Sequence, residues 1–154
     1  MIVLANGAAA RFDPDRLAAR VAAVYDPHLA EPTDDLLDTM RARLLEEDLD
    51  GARDAYASFA DDPRGSGVST EETINDLGYD LLERERPEDA AAILRLNVAR
   101  YPESANAHDS LGEALAAGGQ RDAAIARYRE SLRLDPSNEN AAKMIEKLQG
   151  IPSR

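Results

Sequence analysis

The chain has 154 residues, 44% of them hydrophobic, enough for the core of one ordinary domain, while 5% aromatics and no Trp argue against a β-sandwich and for closely packed helices. Thirty acidic against 18 basic side chains leave a formal net charge of -12, which repels phosphate backbones and anionic surfaces and makes nucleic acid and membrane poor partners. Cysteine is absent, which excludes disulfides, thiolate metal sites and a cysteine nucleophile, and no apolar run approaches the roughly 18 residues of a membrane span.

The first segment, MIVLANG, reads as a short buried strand ending in a turn at Asn6 and Gly7. It lacks the basic residues and the length of a signal peptide, so the chain as written reads as cytoplasmic. A helix follows, with Asp13 as N-cap, Pro14 in the first turn and Leu17, Val21 and Val24 on one stripe; Asp26 and Pro27 stop it. PHLAEP, bracketed by prolines, reads as an extended linker, so residues 1–32 form a strand-helix element and linker.

Residues 33–64 read as a degenerate helical pair. Thr33 is the expected N-cap of its first helix, with Leu36, Leu37, Met40 and Leu44 on one side, and Ala52, Tyr56, Phe59 and Pro63 pattern the second. RGSGVST, Arg64 to Thr70, is an insertion of about six residues. Two clear repeats follow, 71–104 and 105–138: Leu77-Gly78 and Leu111-Gly112, Leu81 and Leu115, Ala90 and Ala124, Leu94 and Tyr128, and Pro102 and Pro136 each lie 34 residues apart. The last helix, 139–150, is expected to turn Ala142, Ile145 and Leu148 inward and Glu139, Lys143, Glu146 and Lys147 outward, capping the array until Gly150 and Pro152 end it.

This period and its residues resemble the tetratricopeptide repeat, a 34-residue helix-turn-helix unit with Leu-Gly, a large apolar position, Ala-x3-aromatic and a closing Pro. The glycines and alanines let paired helices approach closely, and the prolines stop the second helix because they lack an N–H. Ile74 and His108 stand at the usual Trp position, and Asn97 and Ser131 at a late small one, departures expected to weaken individual contacts. The fold class expected is all-α: an α-α superhelix of two clear repeats, one degenerate repeat and a capping helix behind a short strand-helix element.

A strand ending Val-Leu-x-Asn-Gly, a helix ending near Tyr25 and a Pro-bounded linker are similar to the last strand and C-terminal helix of serine β-lactamase and penicillin-binding-protein-like hydrolases. The repeats also resemble the tail that some bacterial members of that superfamily carry. That resemblance implies the C-terminal accessory module of a serine-hydrolase-like protein, periplasmic if the enzyme is exported; the alternative is part of such a hydrolase completed by residues or a chain absent here. The family's Ser-x-x-Lys chemistry is not carried over: no serine has a lysine three residues on, and the only lysines are Lys143 and Lys147. The chain is expected not to be an enzyme. MIVLANG would then complete a sheet whose other strands lie before Met1 or on another molecule, which also makes homo-oligomerisation through this strand an alternative.

No cofactor or metal is expected. His28 and His108 are 80 residues apart, and the paired acids match no calcium loop, so they read as solvated helix faces. In tetratricopeptide arrays the first helix of each pair lines the concave groove. By register the lining is Glu72, Asn75, Tyr79, Leu82 and Glu83 from one repeat and Asn106, Asp109, Glu113 and Ala116 from the next. One known use of such grooves clamps a peptide's terminal carboxylate with Lys and Arg. This lining has neither, so the expected ligand is a basic or apolar protein or peptide and not the acidic chaperone tail.

Overall fold

The computed structural model describes residues 32–61 and 69–150. Every regular element among them is an α-helix: α1 (Pro32–Leu45), α2 (Leu49–Asp61), α3 (Glu71–Glu83), α4 (Pro87–Arg100), α5 (Ala105–Ala117), α6 (Arg121–Leu134) and α7 (Glu139–Gln149). The expected strand-helix element over 1–31 and most of the insertion lie outside the described residues. Helix α1 starts at Pro32, so Thr33 is not its N-cap. Proline's fixed φ suits the first helical position, where its missing N–H has no intrahelical partner to lose.

Helices pair as α1/α2, α3/α4 and α5/α6, and one turn closes all three pairs. Asp48, Arg86 and Gln120 donate their N–H groups to the carbonyls of Arg43, Leu81 and Leu115 at 2.9, 2.9 and 2.8 Å. Glu47, Glu85 and Gly119, one residue earlier, donate to Leu44, Leu82 and Ala116. This double closure requires a left-handed residue before its last donor, and Glu47, Glu85 and Gly119 have φ of 59, 57 and 73°. Only the third is glycine. Glu85→Gly should therefore raise stability by about 0.5–1 kcal/mol in urea unfolding, since glycine takes this conformation without the Cβ penalty; a loss would show that the Glu85 side chain matters more than its backbone.

Within the pairs, the small residues act at the closest approach. A Cβ on Gly78 would stand 2.6 Å from Leu94 Cγ, and one on Gly112 would stand 2.9 Å from Tyr128 Cε1. Ala90 and Ala124, across the same interfaces, are fully buried. Helices α4 and α6 end two residues before Pro102 and Pro136.

Asn97 and Ser131, expected to weaken individual contacts, each make a hydrogen bond to the neighbouring helix. Both are fully buried, and both donate to the carbonyl of the first residue of the preceding helix, Asn97 Nδ2 to Glu71 at 2.9 Å and Ser131 Oγ to Ala105 at 2.8 Å. A polar group at this position pins the start of the first helix to the second; the bond offsets the burial of the Ser131 hydroxyl, whereas Asn97 Oδ1 is buried without a hydrogen-bond partner among the described residues. His108 is likewise a packing residue, 4% exposed, with Nε2 donating to the Pro102 carbonyl at 3.0 Å.

The first helices α1, α3 and α5 touch one another in sequence, whereas α2, α4 and α6 make no comparable contact among themselves, so the first helices form the inner layer. The α1/α2 pair joins the rest mainly through α1: Arg41 ion-pairs with Asp80, and Arg86 donates to the Leu44 carbonyl. Helix α2 reaches α3 through Thr70, whose Oγ1 lies 3.2 Å from the hydroxyls of both Tyr56 and Tyr101. The Thr70 N–H also donates to Tyr101 at 2.8 Å, holding the residue that precedes α3.

Candidate functional site

The expected lining divides into two environments. Glu72, Glu83 and Asn106 are exposed, while Asn75, Leu82 and Ala116 are half-buried, and Leu82 and Ala116 pack on the core. Tyr79, Asp109 and Glu113 come together. The Tyr79 hydroxyl lies 3.3 Å from Ser110 Oγ, and Asn140 of α7 donates to Asp109 at 2.8 Å and to Glu113 at 3.0 Å. Asn138, which caps α7 by accepting from the Ala141 N–H at 3.0 Å, also donates to Asp109 at 3.1 Å and to Ser131 at 2.8 Å.

Neither Asp109 nor Glu113 has a cationic partner among the described residues; their partners are amides and hydroxyls. Burial therefore dominates their titration and pushes both carboxyls above the ordinary range, with bonds from Asn140 and Asn138 lowering Asp109 and bonds from Tyr79 and Asn140 lowering Glu113. The same burial, reinforced by the nearby carboxylates, pushes the hydroxyls of Tyr79 and Tyr128 far up. Tyr128 is fully buried behind Gly112, and its hydroxyl has no hydrogen-bond partner among the described residues.

Ser110, Asn138 and Asn140 were not among the expected lining residues. The period points to the two asparagines, since Asn140 stands 34 residues after Asn106 and 68 after Glu72, and the N-caps Ser104 and Asn138 are also 34 apart. Helix α7 thus continues the register of α3 and α5. This also corrects its inward face: Ala141, equivalent to the buried Ala107, is fully buried, and Ala142 is exposed.

Charge is segregated between layers. Helices α3 and α5 carry seven acids and no base, whereas α4 and α6 carry four acids and six arginines. Among the described residues no cluster of His, Asp and Glu is arranged to hold a metal ion, and no helix is long and apolar enough to cross a membrane.

No protein-family model matches the chain, and no curated protein matches it. Solved structures do. The first tetratricopeptide domain of human RPAP3 superposes with a TM-score of 0.54 at 20% identity, covering 77% of this chain and 90% of that one. The first such domain of Spaghetti (RPAP3), bound to the HSP90 peptide SRMEEVD, gives 0.54 at 18% identity with the same coverage. The second domain of human RPAP3, in complex with the HSP70 peptide SGPTIEEVD, gives 0.54 at 17% identity over 80% of this chain and 98% of that one. Paired helices, glycine-mediated close approach and this likeness together make the fold that of a tetratricopeptide repeat domain.

Proposed function

We propose that the chain is a non-catalytic scaffold for protein-protein contact, and that the inner face of α3 and α5 docks a basic segment of a partner protein. The observation that carries this reading is the sign of that face: Glu72, Glu83, Asp109 and Glu113 with no base beside them on two neighbouring helices, the last two half-buried without a cation among the described residues. Carboxylates already stripped of part of their water lose less on contact with an incoming lysine or arginine, and the pairing is worth more there than in bulk solvent. Two of the structural neighbours hold acidic peptides ending in EEVD. The same ligand is not proposed for this chain, because α3 and α5 offer it no positive group.

A peptide of alternating Lys and Leu should bind the wild-type chain and lose roughly tenfold or more in affinity when Glu72, Glu83 and Glu113 become Gln and Asp109 becomes Asn, the loss of several rim and half-buried charge contacts. Equal binding by the two proteins would reduce these acids to solvation. The accessory-module reading rests on the resemblance of residues 1–26 and of the repeats to such hydrolases and their tails; on it, the purified chain should hydrolyse neither chromogenic esters nor β-lactams, and turnover abolished by replacing one serine would overturn the non-catalytic reading.

A further inference from the structure

The outer layer carries the opposite sign and an opening of its own. Helices α4 and α6 both pack on α5 but make no comparable contact with each other, and between them lies a cleft of about 310 Å³. Its floor includes Leu111 and Leu115 of α5; Arg95 and Val98 of α4 form one wall and Arg127 of α6 the other. Arg95 is exposed and Arg127 half-buried, and neither is ion-paired among the described residues. In a chain of net charge -12, two arginines on facing walls of an apolar-floored cleft, with Glu130 acting on Arg127 only beyond ion-pair distance, form a local positive site.

We propose that this outer cleft docks an acidic peptide segment of a partner protein, with an aliphatic side chain on Val98, Leu111 and Leu115 and flanking carboxylates on Arg95 and Arg127. Charge complementarity selects the occupant. A guanidinium presents a fork of donors that matches a carboxylate, and its weak hydration lowers the loss on burial. The volume is at the low end for a ligand pocket and suits one or two side chains of a chain segment rather than an enclosed small molecule. The cleft and the inner face would thus take ligands of opposite charge.

The test uses the whole chain and a fluorescein-labelled peptide of alternating Glu and Leu, followed by anisotropy. Saturable binding is expected, weakened by added salt and roughly tenfold weaker for Arg95→Glu/Arg127→Glu, as removal and reversal of rim charges predicts. Ala123→Glu, which adds a carboxylate beside the cleft at an exposed position and leaves both arginines in place, should weaken binding as well. The inner-face Gln and Asn substitutions should leave it unchanged, so failure here is separable from failure of the basic-ligand reading. Absence of binding, equal binding of a Gln-Leu peptide, or equal binding by the charge-reversed variants overturns the proposal. So does a salt-sensitive dimer, seen by sedimentation and abolished by the same variants, which would assign the cleft to a second copy of the chain.

Discussion

Gly78→Ala is expected to destabilise the protein by about 1–3 kcal/mol, although alanine is the better helix former by about 1 kcal/mol. The added Cβ would fall 2.6, 2.7 and 2.8 Å from Leu94 Cγ, Cδ2 and Cδ1. Leu94 is fully buried, so it has no open space to retreat into, and α3 and α4 must separate or Leu94 must leave its rotamer. Urea unfolding should show the midpoint fall with the slope unchanged. The double variant Gly78→Ala/Leu94→Ala separates this steric cause from a helix effect: Leu94→Ala alone should lose about 2–5 kcal/mol to its cavity, and the pair should lose at least ~1 kcal/mol less than the sum, because the new methyl group enters the space vacated. Additive losses, or a gain from Gly78→Ala, would mean that the helices do not approach through this glycine. Gly112 repeats the arrangement against the rigid ring of Tyr128, where less relief is available, so Gly112→Ala should lose at least as much.

Asp109→Asn/Glu113→Gln is expected to do the reverse, stabilising the fold by roughly 0.5–1 kcal/mol at pH 7 while weakening the basic-peptide binding proposed for the inner face. The folded protein holds the protons of both carboxyls more tightly than the unfolded chain does, burial being the main cause. A raised carboxyl pKa contributes stability that is full below the unfolded value and is lost as pH rises through the folded value. The wild type therefore lacks that contribution at neutral pH, whereas the amides carry no charge to desolvate and can still accept from Asn140. The advantage of the variant should shrink on acidification and vanish once the wild-type carboxyls are protonated in both states. Paired unfolding curves at pH 7 and about pH 3 measure the difference; a less stable variant at pH 7 would show that the bonds from Asn138 and Asn140 outweigh the desolvation. A docked lysine or arginine would lower both carboxyl pKa values again, so binding should release protons and strengthen as pH rises through the same window.

Much of the helical architecture was legible because it depends on residues whose effect is local or strictly periodic. The 34-residue spacing of Leu77-Gly78 and Leu111-Gly112 marks where the paired helices meet, and Pro102 and Pro136 end helices by chemistry that needs no tertiary partner. Errors arose where one residue served two roles. Pro32 looked like the close of a linker but opens α1, since X-Pro disfavours helix before the proline and favours it after. Ala142 and Ala141 are adjacent and chemically identical, so only the neighbours α6 and α5 decide which faces in. The bonding of Asn97 and Ser131 is not legible locally, because their partners, the carbonyls of Glu71 and Ala105, lie 26 residues away.

The inner-face positions could be listed from register, but their environments could not. Glu72 and Glu113 are the same residue type on equivalent faces of successive helices, yet one is exposed and the other is held by Asn140 from α7. By itself, the sequence determined the helical pairs, their stops, the close-approach glycines and the acidity of α3 and α5, because backbone chemistry and a repeating period act over a few turns. Only the tertiary structure decided which carboxylates lose their water, how Thr70 is clasped by Tyr56 and Tyr101, and that α4 and α6 part to leave Arg95 facing Arg127. Those outcomes depend on side chains from three different helices meeting in space, and burial and unpaired charge are properties of that meeting rather than of any single segment.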